Sequence, residues 1–131
     1  MIFVDTGAWY ASLVPTDPDH VKAVQWLATN KSPLLTTDYV LDETLTLLRV
    51  RGERKRALLL GARFFRHELA DIHKITPTDL RLAWETFELF DDKNWSFTDC
   101  TSKVVMEQLN TTEAFAFDHH FHQFGTIQVV P

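Results

Sequence analysis

Apolar and polar positions along the chain alternate between two periods, and the switches between them define the elements. Ile2-Phe3-Val4 is a short apolar run that predicts a buried strand, halted by Asp5-Thr6-Gly7. Ala8 to Leu13 holds no breaker and predicts a short helix ended by Pro15. Pro15 to Asp19 is a turn with helix-start chemistry. Val21, Val24, Trp26, Leu27 and Ala28 then recur at helical spacing from about His20 to Asn30. Pro33 to Thr36 predicts a second strand at or near a sheet edge. Thr37 or Asp38 can cap a helix that runs to about Arg51, where Gly52 breaks it.

The second half repeats the alternation. A helix is expected from Glu53 to about Ala70, with Leu58, Leu59, Ala62, Phe65 and Leu69 as its apolar stripe. Asp71 to Ile75 alternates like a strand. Thr76-Pro77-Thr78-Asp79 opens a helix to about Asp91, with Pro in its first turn. Residues 92–97 form a loop, and Thr98 caps a helix ending near Asn110. Ala114 to Phe117 predicts a buried strand ending at Asp118. A short turn from His119 to Phe124, broken by Gly125, leads to a last strand over Ile127 to Val130. Strands that alternate with helices predict an α/β domain around a mainly parallel sheet.

Composition narrows the class. The 131 residues fit one domain, 1–131, and 45% hydrophobic content with ten Phe and four Trp supplies a core. No internal repeat, low-complexity stretch or membrane-length apolar run is present, and the N-terminus lacks the pattern of a secretory signal. The single Cys100 allows no internal disulfide and suits a reducing cytoplasm. A net charge of −5 argues against binding nucleic acid through bulk positive charge. It leaves room for an acidic site that holds cations.

Candidate chemistry rests on four acids. Asp5 and Asp118 each follow a short apolar strand, and on a parallel sheet both would lie along one edge, where ligands bind in open α/β folds. Either could equally be a turn residue or helix cap. On the helix after Thr37, a rotation of about 100° per residue puts Glu43 on the face of Val40, Leu47 and Val50. Asp42 falls on a polar flank with Thr46 and Arg49. An acid on an apolar face is costly unless it is paired, bound to a cation, or able to reach water from the edge of the stripe. Asp99 sits in a first helical turn, where it also complements the helix dipole. Four such carboxylates suit Mg²⁺ or Mn²⁺, and metal-assisted cleavage of a phosphodiester is the chemistry they suggest together.

Other features carry weaker signals. Arg49, Arg51, Arg54, Lys55 and Arg56 form the one basic cluster, either a rim that steers RNA or a solvated helix junction. His119, His120 and His122 match no common zinc pattern, although a residue beside Asp118 could tune a site there. Cys100 suits a core position. Trp95, in the loop before Asp99, is the aromatic residue considered for base stacking.

In chain order, Val4-Asp5-Thr6, Asp42-Glu43-Thr44, Ser96-Phe97-Thr98-Asp99-Cys100-Thr101-Ser102 and Phe117-Asp118-His119-His120-Phe121 resemble the PIN-domain ribonucleases, most closely the VapC-type toxins of prokaryotic toxin–antitoxin pairs. The resemblance covers essentially the whole chain. It implies a three-layer fold with sheet order 3-2-1-4-5 flanked by helices. It places the acidic metal set on Asp5, Glu43, Asp99 and Asp118, with Thr6 and Thr98 in supporting hydroxyl positions. It further implies Mg²⁺- or Mn²⁺-dependent endonucleolytic cleavage of RNA that leaves 5′-phosphate and 3′-hydroxyl ends. A VapB-like antitoxin and a homodimer are the implied partners. The rival readings are a stand-alone PIN nuclease in RNA processing and a catalytically silent binding protein that keeps the fold.

Overall fold

Strand β1 (Ile2–Val4) is the middle of a five-stranded sheet, and its three residues are buried on both faces. The computed structural model describes residues 1–131. Around β1 lie β2 (Leu34–Thr37) and β3 (Asp71–His73) on one side, with β4 (Glu113–Phe115) and β5 (Gln128–Val130) on the other. Every pairing is parallel and the order is β3-β2-β1-β4-β5, the expected 3-2-1-4-5. Parallel neighbours cannot be joined by hairpins, so each return crosses the sheet through helical chain. Those helices are α1 (Thr6–Leu13), α2 (His20–Thr29), α3 (Asp38–Val50), α4 (Arg54–Phe65), α5 (Pro77–Leu89) and α6 (Phe97–Gln108).

This order has a consequence for the site. From β1 the chain winds outward to β3, then jumps back to β4 and winds outward the other way. The switch falls between β1 and β4, where the connections leave a crevice at the carboxyl ends of the strands. Val4 pairs in register with Phe115, and the N–H of Asp5 donates to the carbonyl of Phe115 at 3.1 Å. Asp5 is therefore fixed at the lip of that crevice. Beneath it Phe3, Phe64, Phe115, Phe121, Leu48 and Met106 are fully buried. Each contributes roughly 1.5–3 kcal/mol by leaving water, which keeps the lip rigid.

Helix ends follow local chemistry. Thr37 caps α3 by accepting from the N–H of Val40 at 3.0 Å. Gly52, at φ 79°, lets the chain turn back at the end of α3: Glu53 N–H donates to Leu48 carbonyl and Gly52 N–H to Arg49 carbonyl. The same pair of bonds closes α4, but with His67 at φ 57° in the left-handed position. Helix α4 thus stops at Phe65, not near Ala70, because His67 adopts a conformation usually left to Gly or Asn.

Several expected faces are corrected. The buried stripe of α4 is Ala57, Leu60, Gly61 and Phe64, while Leu58, Leu59 and Phe65 face solvent. This helix is apolar on more than one side, and contact with α3 selects the face carrying Gly61. In α2 only Ala23 is fully buried, and Val21 and Val24 are exposed. Val50 lies off the buried face of α3, which is Val40, Leu41, Thr44 and Leu48. Helix α5 ends at Leu89, two residues short of Asp91. Strand β4 ends at Phe115, so Asp118 stands three residues past it, at the head of a 3₁₀ turn (His119–Gln123).

Candidate active site

Acids from three further segments lie within electrostatic reach of Asp5 at the crevice. Asp5 follows β1 and is 4% exposed. Glu43 is half-buried on α3, whereas its neighbour Asp42 is exposed, as the helical rotation requires. Asp99 lies in the first turn of α6 and is buried; Asp118 is exposed and precedes the 3₁₀ turn. Burial pushes the Asp5 carboxyl up to about 8, the charges of Asp99, Glu43 and Asp118 add to the rise, and the Thr6 N–H opposes it only in part. Asp5 therefore feels all three of the other acids.

Capping and site roles now separate. Asp5 occupies the N-cap position of α1 yet makes no side-chain capping bond, and its Oδ1 is buried without a partner. Thr6 Oγ1 is buried and unpartnered beside it. Buried polar atoms left so are rare and costly. Asp79 shows that burial alone does not have this effect. It is as well covered from solvent but lies less deeply in the protein; desolvation raises its carboxyl too, and the Thr76 N–H, the His73 imidazole at 2.8 Å and the Thr76 hydroxyl hold it below the usual carboxylate range. Asp79 is satisfied by donors; Asp5 is not.

Asp99 does both jobs at once. Ser96, not Thr98, caps α6: the Ser96 hydroxyl accepts from the Asp99 N–H at 3.0 Å and Asp99 Oδ2 accepts from the Ser96 N–H at 2.9 Å. This reciprocal pair locks the Asp99 rotamer. Thr98 is already inside the helix, where its carbonyl accepts from the Thr101 hydroxyl. Asp118 does act as a cap, accepting from the His120 N–H at 3.0 Å.

His120 is the residue that sequence reasoning left without a role. Its Nδ1 lies 2.9 Å from Asp99 Oδ2 and 3.4 Å from Asp118 Oδ1, bridging two acids from different segments. In the tautomer that carries its hydrogen on Nδ1, His120 donates this bond and Asp99 Oδ2 accepts it. The only signal in the sequence was a His two places after Asp118. No Lys or Arg pairs with any of the four acids; histidines are their only ionic partners.

The other candidates scatter. Arg51 sits 4.9 Å over the Tyr10 ring and shares with Asp118, Asp17 and Asp19 a cleft of about 470 Å³. Arg56 pairs with Glu53 at 2.5 Å, Arg49 lines the groove between α3 and α4, and Arg54 and Lys55 are exposed. Trp95 is buried among Phe90 and Phe124 with its indole N–H donating to Gln123, so it is a core residue and not a base-stacking platform. Burial, reinforced by the charge of Asp99, pushes the Cys100 thiol up to about 11, which keeps it neutral and unreactive.

The donor set fits a divalent cation. Its oxygens are hard ligands, one is an orphan, and no Lys or Arg pairs with the four acids. The model of the PIN domain family matches residues 2–126. A 23S rRNA-specific endonuclease, VapC20 of Mycobacterium tuberculosis, is 34% identical over 131 residues, which span 100% of this chain and 99% of that protein. The crystal structure of VapC20, described as a sarcin-ricin loop cleaving toxin, superposes with a TM-score of 0.92 at 31% identity, covering 100% of both chains. FitAcB from Neisseria gonorrhoeae shares the fold at a TM-score of 0.72 and 14% identity, over 100% of this chain and 97% of that one.

Proposed function

The chain belongs to the PIN domain family, and from that premise we propose that Asp5, Glu43, Asp99 and Asp118 hold the divalent metal with which it cuts RNA. It is an RNA endonuclease of the VapC toxin type. The observation that carries the metal assignment is Asp5: a buried carboxylate, unpartnered at Oδ1, raised to about 8 and crowded by three further acids. Such a cluster is relieved by a cation, and Mg²⁺ or Mn²⁺ suits carboxylate oxygens.

The chain's own residues have distinct tasks. Asp5 is held by the sheet, Glu43 by α3 and Asp99 by its reciprocal cap, so three ligands are set before metal arrives. Asp118, exposed and on a short turn, completes the set. Bound metal would offset their charge and supply Lewis-acid stabilisation to the phosphodiester. In the reaction a water oxygen bonds to phosphorus and the bond from phosphorus to O3′ breaks. The products are a 5′-phosphate and a 3′-hydroxyl, with a proton passing from the water to the leaving oxygen.

Residues 1–131 carry this activity as one domain, in a reducing cytoplasm, opposed by a VapB-like antitoxin. A homodimer is part of the same reading. No helix is long and apolar enough to cross a membrane. The full-length likeness to a 23S rRNA-specific endonuclease makes the sarcin–ricin hairpin of that RNA the first substrate to offer. The purified chain is expected to cleave it at one position with Mg²⁺ or Mn²⁺ and not with EDTA. End-mapping of the fragments checks the products, and an intact hairpin with either metal would favour a silent binding protein.

Arg49, Arg51, Arg54, Lys55 and Arg56 are proposed as RNA contacts, with Arg51 foremost. Its guanidinium makes no ion pair, although Asp17, Asp19 and Asp118 line the same cleft, and Tyr10 holds it in place. Arg51→Ala is expected to weaken RNA binding whatever the sequence, and to reduce the salt slope of the binding constant by about 0.7–1. The triple change of Arg54, Lys55 and Arg56 to Ala reports on the rest of the rim. Unchanged slopes in both proteins would remove the cluster from the RNA footprint.

A further inference from the structure

The two adjacent histidines after Asp118 bring a second kind of ligand to the crevice. His119 Nδ1 lies 3.4 Å from Asp118 Oδ1. His120 Nδ1 lies 3.4 Å from the same oxygen and 2.9 Å from Asp99 Oδ2. One donor atom from each of Asp118, His119 and His120 falls within 4.8 Å of the others. A dication with bonds of about 2.1 Å holds adjacent ligands about 3.0 Å apart in octahedral geometry and about 3.4 Å in tetrahedral geometry. The two contacts to Asp118 Oδ1, at 3.4 Å each, and the 2.9 Å contact of His120 with Asp99 match the edges of such a shell.

A hydrogen bond explains the 2.9 Å contact of His120 but not His119. The His119 side chain is 76% exposed and forms no hydrogen bond, yet its Nδ1 faces Asp118 and its ring packs edge-on against His120 at 4.5 Å. Two imidazoles and a carboxylate converge where only one imidazole is needed to brace Asp99.

We propose that Asp118, His119 and His120, with Asp99 at the shared edge, form a second metal position selective for first-row transition dications over Mg²⁺. Imidazole nitrogen is a borderline ligand that suits such ions, whereas Mg²⁺ keeps to oxygen and water. Asp99 and Asp118 then join the two positions, since both act on Asp5 on one side and lie against His120 on the other. This rests on the nuclease reading above for the first position only. Its functional consequence is a chain that holds two ions in Mn²⁺ and one in Mg²⁺.

Mn²⁺ titration followed by electron paramagnetic resonance tests it on the full chain. Wild type is expected to bind two Mn²⁺, with excess Mg²⁺ displacing only one. His119→Ala, at an exposed side chain with no hydrogen bond, is expected to fold normally and to lose at least about tenfold in affinity at one position. His120→Gln keeps a donor towards Asp99 and is expected to lose the same position. Identical titrations for wild type and His119→Ala, or displacement of both ions by Mg²⁺ at one concentration, would overturn the site. The two readings fail separately. A wild type that binds two Mn²⁺ but cuts no RNA supports the site and removes the nuclease assignment, and one that cuts RNA with a single Mn²⁺ overturns the site alone.

Discussion

Asp5→Asn is expected to lower RNA cleavage by about three orders of magnitude or more, while making the metal-free protein more stable near neutral pH. The activity loss follows from removing a charged ligand at the most buried point of the cluster, since several kcal/mol of transition-state stabilisation is about a thousandfold in rate. The stability gain follows from the same burial. The Asp5 carboxyl ionises near 3.8 in the unfolded chain and at about 8 in the fold, through desolvation first and the other acids second. A raised carboxyl contributes its stability in full below pH 3.8 and loses it as pH climbs to 8, because only the unfolded chain gives up the proton readily. Asn never ionises and so keeps what Asp5 loses, roughly 2 kcal/mol or more near pH 7. Single-turnover cleavage and urea unfolding of the two proteins measure both halves. A variant that is inactive because it is unstable would break the pairing and remove Asp5 from the metal site.

The sequence made some of this legible because local rules decide it. Glu43 and Asp42 are separated by one residue of helical rotation, and the structure half-buries the first and exposes the second accordingly. Sheet order followed from the family resemblance, and the strands from short apolar runs bounded by breakers. The errors fall where two local choices compete. Both Ser96 and Thr98 can cap a helix, and only the three-residue spacing from Ser96 to Asp99 allows the reciprocal bonds that decide between them. Helix α4 carries apolar residues on two faces, so its stripe is settled by α3 and not by its own period. His67 ends α4 in a conformation that its residue type rarely adopts. The role of His120 lay furthest out of reach, because its partner Asp99 is 21 residues away and meets it only once β4 has placed the turn. The absence of a capping bond at Asp5 was equally hidden, since Asp in that position usually makes one.

Divalent metal is expected to raise the melting temperature strongly at pH 8 and hardly at all at pH 5. Metal binds the ionised cluster, and at pH 5 the Asp5 carboxyl, shifted to about 8, still holds its proton in the metal-free fold. Each pH unit below 8 costs about tenfold in apparent affinity for that one proton, so pH 5 weakens binding by about a thousandfold. At a concentration about 100 times the Kd at pH 8, binding adds about 2.7 kcal/mol, or about 10 °C for a chain of this size. The same concentration lies well below the Kd at pH 5, where the shift falls within error. The metal-free melting temperature moves the other way, dropping as pH rises towards 8, so the metal-bound and metal-free curves diverge with pH. Asp5→Asn should flatten the metal-free branch, which assigns the divergence to this carboxyl instead of to general surface charge. Equal stabilisation by Mg²⁺ at both pH values would mean that the ion binds acids of ordinary acidity elsewhere on the surface, and the buried cluster would lose its claim to the metal.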